Sequence, residues 1–197
     1  MQQALNKLRF IILVIFTAIW FATANKPSSL LTAAAILIHE AGHITASLIT
    51  GNRLKRLSVR TAGLLLTGDR GYCSYYEEAF IAYCGPLFNF LSSIICLLLS
   101  SSENAVFFSG VSLTLGILNL LPIKEFDGGR ITDAILYGFL RYDTAYKVSE
   151  ILSFLSLFFL WSISVYQLMR TGDSITLFLF STILYTKILL SESKNQN

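Results

Sequence analysis

Two histidines stand at positions 39 and 43, the only two in the chain, with Glu40 beside the first in the order His39-Glu40-Ala41-Gly42-His43. On an α-helix, residues four apart share a face, so both imidazoles can reach one tetrahedral metal, and the glutamate can reach a water in the open coordination position. The chemistry is hydrolysis by metal, activated water and general base, with Zn2+ as the ion that such a donor set suits. The plain alternative is a buried polar cluster. It is weakened by context: the run from Leu30 to Thr50 is apolar enough to cross a bilayer, where ionisable side chains are costly and functional by default.

Two histidines need a further protein ligand, and with no third histidine the choice falls on carboxylates or a cysteine. Glu103, Asp173 and Glu192 lie at the wrong ends of their segments, Glu77 and Glu78 at a span boundary, Asp69 in a basic loop, and Asp143 and Glu150 beside a cytoplasmic turn. Glu125, Asp127 and Asp133 remain. His39 precedes Thr50 by eleven residues, which buries it roughly 16 Å below the cytoplasmic end of its helix at 1.5 Å per residue. The partner must be equally deep. A chain that breaks at Pro122 and re-enters would bring Asp127 to that depth, with a helix from Gly129 to Leu140 leading back out and Glu125 lining the cavity. Irregular backbone is tolerated there only against protein or a water-filled cavity. Gly128 and Gly129 would let the backbone run close to the metal. The competing role for Asp127 is an N-cap; Cys84 is the second candidate for ligand.

The elements that must position these groups are membrane spans. Of 197 residues, 54% are hydrophobic and 14% charged, and the mean hydropathy of +0.62 excludes an ordinary soluble domain. Apolar segments fall at 10–24, 28–50, 77–99, 105–121, 148–169 and 175–190. The first contains Ala22-Thr23-Ala24, a possible cleavage site, but is expected to be retained. Leu54 to Gly68, with Gly63 and Gly68 at turn positions, predicts a β-hairpin at the membrane surface between the second and third spans. Of the fifteen Lys and Arg residues, six spans leave only Lys26 and Arg170 outside, which places both termini in the cytoplasm. The net charge of +3 is spread over loops, so nucleic acid is not implied. Cys73, Cys84 and Cys96 form no spacing motif and predict reduced thiols.

The fold expected is therefore an all-α polytopic membrane protein of about six spans with one small hairpin. It forms a single domain over 1–197, with a core at 28–141 and peripheral spans at 10–24, 148–169 and 175–190.

Three motifs, in this order and at these separations, resemble the site-2 protease family of intramembrane zinc metalloproteases: His39-Glu40-Ala41-Gly42-His43, Gly85-Pro86-Leu87-Phe88-Asn89, and Asn119-Leu120-Leu121-Pro122 with Asp127-Gly128-Gly129-Arg130. The resemblance covers about Leu31 to Leu136. It implies that His39, His43 and Asp127 ligate zinc, that Glu40 activates water, and that Asn89 and Asn119 line the substrate path. The layout is most similar to the branch that includes the sporulation protease releasing a membrane-tethered sigma-factor precursor. Unlike that protease, this chain is expected to end after its sixth span without a CBS pair, and unlike the envelope-stress members it is expected to lack a PDZ domain.

The function expected is an intramembrane endopeptidase that cuts a membrane protein substrate within the lipid bilayer of a bacterial cell, with no nucleic-acid partner. Two other classes compete. A non-catalytic client-binding relative would be marked by loss of Glu40 or Asp127, and both are present. A metal or proton transporter would spread polar groups through several spans with repeat symmetry, whereas here they converge on two segments.

Overall fold

Much of the interior is alanine, serine and glycine, and many of the large apolar side chains face outward. Ala35, Ala46, Ala82, Ser93, Ser109, Ser112 and Ser164 are buried, while Leu37, Leu48, Ile94, Leu98, Phe159 and Met169 are exposed. A water-soluble fold sorts these residues the other way. Lipid is as apolar as leucine, so helices in a bilayer gain by close backbone approach through small residues and by hydrogen bonds between them.

The computed structural model describes residues 26–51, 54–60, 63–68, 74–171 and 177–186. The expected first span at 10–24 lies outside them. The elements are α1 (Lys26–Ile49), β1 (Leu54–Arg60), β2 (Gly63–Gly68), α2 (Tyr75–Leu99), α3 (Glu103–Asn119), α4 (Asp127–Phe139), α5 (Tyr142–Thr171) and α6 (Leu177–Thr186). Among the described residues, three of the six helices, α1 from Pro27, α2 and α5, are long and apolar enough to cross a membrane. The chain divides into two compact units, one ending at Leu120 and one beginning at Leu121.

In the first unit α1, α2 and α3 pack against one another. Gly42 of α1 meets the backbone of α2 directly: a Cβ there would lie 2.8 Å from the carbonyl carbon of Cys84 and nearer still to its oxygen. Only glycine permits that crossing. Between α2 and α3, Ser93 Oγ donates to the Ser109 carbonyl and Ser109 Oγ to the Ser93 carbonyl, each at 3.1 Å. Ser102 opens α3, its Oγ accepting from the Ala105 amide at 3.3 Å. The Glu77 carboxylate accepts from the Ser74 amide at the start of α2, the returning half of a capping box. The two strands pair antiparallel, Leu57 opposite Leu66 and Arg60 opposite Gly63, with an irregularity between Leu54 and Arg56.

In the second unit a turn leads into α4, which packs on α5. Lys124 holds that turn: its amide donates to Ser153 Oγ at 3.0 Å and its ammonium pairs with Glu150 at 2.9 Å, lying 4.3 Å from the Tyr146 ring centre. A Cβ on Gly129 would stand 2.6 Å from the carbonyl carbon of Ile123. That glycine is thus required by the turn's own backbone. α5 starts six residues before the expected 148, because Tyr142 to Lys147, charged enough to suggest a loop, continue the helix. At 30 residues it is about 45 Å long, more than the hydrocarbon thickness of a bilayer. α6 lies along α5, with Ser164 Oγ and Ser181 Oγ 2.9 Å apart and Trp161 donating to Thr182. Across the same contact Trp161 stacks on Tyr185, and Phe154 lies tilted against that ring with centres 5.7 Å apart.

Candidate metal centre

Both histidines sit on the inner face of α1, His39 at 7% and His43 at 6% exposure. The helix runs through them without a break from Lys26 to Ile49, so the four-residue spacing stacks their rings, edge to face, with centres 4.8 Å apart. Their Nε2 atoms face each other at 3.1 Å. Two nitrogens bound to one tetrahedral zinc at about 2.05 Å would be about 3.3 Å apart. The pair is therefore already spaced as two ligands of one ion.

The far side of each ring is tied to α2. His43 Nδ1 lies 2.8 Å from the Ile81 carbonyl oxygen. A carbonyl can only accept, so Nδ1 carries the hydrogen and the neutral ring keeps its lone pair on Nε2. His39 Nδ1 lies 3.2 Å from the carboxamide nitrogen of Asn89, which is fully buried. Fixing a metal ligand by a hydrogen bond to its other ring nitrogen is the usual outer support of a histidine site. Gly85 completes the approach: a Cβ there would stand 3.0 Å from His39 Cε1 and closer to His43 Cε1 and Nε2. Pro86 follows inside α2, leaving the Ala82 carbonyl without its helical donor. Paired ring nitrogens, a defined tautomer on His43 and a side-chain-free wall fit a zinc-type ion.

Glu40 follows His39 on α1 and is part-exposed. Asn119 closes α3 with its amide donating back to the Leu115 carbonyl at 3.0 Å. Asp127, in the second unit, is 8% exposed. It is the first residue of α4, and the N-cap is Phe126, with extended dihedrals. The helix thus begins two residues before the expected Gly129, and the N-cap role considered for Asp127 is filled by its neighbour. Arg130 Nη1 lies 3.5 Å from Asp127 Oδ1.

Sequence spacing leaves three contributors unassigned: the Ile81 carbonyl, Gly42 as a backbone crossing and Gly85 as the wall beside the rings. The only available signal is the pair of glycines within the two motifs, since a carbonyl acceptor leaves no trace in residue type.

A similar solved structure is "Site-2 Protease from Methanocaldococcus jannaschii", with a TM-score of 0.61 and 23% identity, the alignment covering 93% of this chain and 87% of that one. At that identity the likeness is one of fold. No curated protein matches the sequence. The family model for Peptidase M50B-like proteins matches residues 10–185. By that match over most of its length, this membrane-type, metal-dependent peptidase chain belongs to the Peptidase M50B-like family.

Proposed function

We propose that the protein is an intramembrane zinc metalloendopeptidase that hydrolyses a peptide bond in or near a membrane segment of a protein substrate. The observation that carries the proposal is the buried His39–His43 pair, its Nε2 atoms 3.1 Å apart and its Nδ1 atoms held by Ile81 and Asn89. His39, His43 and Asp127 would hold the ion. Asp127 is supported by its burial at the first position of α4 and by the donor chemistry, since two histidines and a carboxylate leave the fourth position open. When bound, zinc supplies the Lewis acidity that lets water ionise near neutral pH.

The chain's own groups then do the proton work. Glu40 takes a proton from the attacking water onto a carboxylate oxygen as the new C–O bond forms at the peptide carbonyl. It returns that proton to the amide nitrogen as the C–N bond breaks and the amine leaves. A helical substrate has its carbonyls engaged, so it must be drawn out extended before attack. We assign that task to the β1–β2 hairpin at the membrane surface, where adding a strand to an edge would hold the substrate through main-chain bonds. Asn89 and Asn119 are assigned to the substrate path. The full arrangement is six spans with both termini in the cytoplasm of a bacterial cell. The product would be a freed, previously membrane-tethered regulatory factor, as in the sporulation branch.

The test is metal analysis of the purified protein together with Glu40→Gln. The amide is nearly isosteric and Glu40 is not a ligand, so the variant should keep about one zinc per chain while cleavage of a co-reconstituted single-span reporter stops. Undiminished cleavage by Glu40→Gln, or wild-type protein without zinc, would overturn the proposal.

A further inference from the structure

Asn89 is fully buried, and its two amide atoms are unequally served. Nδ2 faces His39 Nδ1 at 3.2 Å, while Oδ1 is buried without a hydrogen-bond partner among the described residues. In this orientation the amide donates to Nδ1. His39 then carries its hydrogen on Nε2, the atom that points at His43 Nε2. That arrangement is self-consistent for two histidines alone, but it removes the lone pair that a metal would use. His43, by contrast, is fixed with its lone pair on Nε2 by the Ile81 carbonyl. One ring is prepared for a metal and the other is not.

A half-turn of the Asn89 carboxamide resolves both problems together. Oxygen and nitrogen are nearly the same in shape, and a carboxamide is assigned by its hydrogen bonds. Rotated, Oδ1 accepts from His39 Nδ1–H, and the lone pair of His39 moves to Nε2 opposite that of His43. The stranded oxygen gains its donor, and the same turn carries the NH2 to the position that Oδ1 now holds.

The geometry points to Asn89 as a positioning residue for the metal: its Oδ1 accepts the Nδ1 hydrogen of His39 and so selects the tautomer that can bind the ion. This inference rests on the metal reading proposed above and adds to it a role for Asn89 distinct from lining the substrate path. Asn89 acts through His39 and touches neither metal nor water in this role.

The test turns on acceptor against donor, which Asn89→Asp separates: a carboxylate accepts from Nδ1–H and has nothing to donate. Zinc affinity is measured by competition with a chromophoric chelator, and the His39 tautomer by 15N shifts of labelled imidazole in zinc-loaded protein. Asn89→Asp should bind zinc within about threefold of wild type with hydrogen on His39 Nδ1, whereas Asn89→Leu, similar in size, should lose about ten- to a hundredfold, the usual range for a lost outer-shell partner. Thermal stability measured in chelator separates a general loss of packing from a loss specific to the ion. If Asn89→Leu does not fold, Asn89→Asp decides alone. Zinc affinity lost in Asn89→Asp, or hydrogen on Nε2 in the loaded wild type, overturns the inference while the metal reading stands. Wild-type protein that takes up no zinc overturns both.

Discussion

Asp127 occupies a position whose chemistry two accounts would explain differently, and one atom of substitution separates them. As a zinc ligand its negative charge matters, so Asp127→Asn should weaken zinc binding on the order of tenfold or more, since even an outer-shell loss costs that much. As a first-turn residue of α4 it should lose only the attraction of its charge to the helix N-terminus, about 0.3–1 kcal/mol of stability, and zinc binding should be unchanged. The structure sharpens this contrast, since the N-cap is Phe126 and Asp127 lies inside the first turn. Zinc content and cleavage in Asp127→Asn, set against Glu125→Gln as control, make the measurement. Full retention by the first and loss by the second would move the ligand to Glu125. His39, Glu40 and His43 were legible in the sequence because their relation is local to one helix turn. The contact of Asn89 with His39 was not, because it joins residues fifty apart and depends on the rotation of α2 against α1.

The crossing of α1 and α2 governs the site, and it depends on backbone rather than on large side chains. Gly42 meets Cys84 and Gly85 meets both histidine rings, so the second helix comes close enough for a main-chain carbonyl, Ile81, to orient His43. Apolar run length revealed that helices were present. It could not reveal their rotation, because large apolar residues lie on both inner and outer faces, Leu157 and Leu160 buried and Leu155 and Phe159 exposed on one helix, and the small residues that mark much of the inner face are inconspicuous in the sequence. Element ends are similarly blurred: the charged residues Tyr142 to Lys147 suggest a loop but form the first turns of α5, and α4 starts at Asp127, two residues before the expected Gly129. Among the described residues β1 and β2 pair only with each other, which leaves outer edges available to an extended peptide. Proline placed in turn from Leu54 to Leu66 should impair cleavage at alternate positions, those whose amide would enter the substrate ladder. Equal tolerance at every position, scored as rate of reporter cleavage, would remove the hairpin from substrate handling.

At the scale of the whole molecule, orientation in the membrane decides from which side substrate and water arrive. Among the described residues three helices are long and apolar enough to span, and the many small residues inside and large apolar ones outside support a lipid environment for both units. The direction of crossing comes from charge. In the six-span arrangement proposed, all Lys and Arg residues except Lys26 and Arg170 fall on one side, and translocation disfavours moving such residues outward. α1 then runs inward, with Lys26 at its outer end and the basic hairpin after its inner end. In a background with Cys73, Cys84 and Cys96 replaced, single cysteines at 55 and 194 should react with an impermeant maleimide only after the cytoplasmic face is opened. Cysteines at 26 and 172 should react in intact cells. Position 26 bears most on mechanism, since it fixes the polarity of the helix that carries both histidines. If 26 labels only from the cytoplasmic side while 55 labels from outside, the hairpin faces the wrong compartment for a cytoplasmic substrate, and the release of a factor into the cytoplasm fails with it.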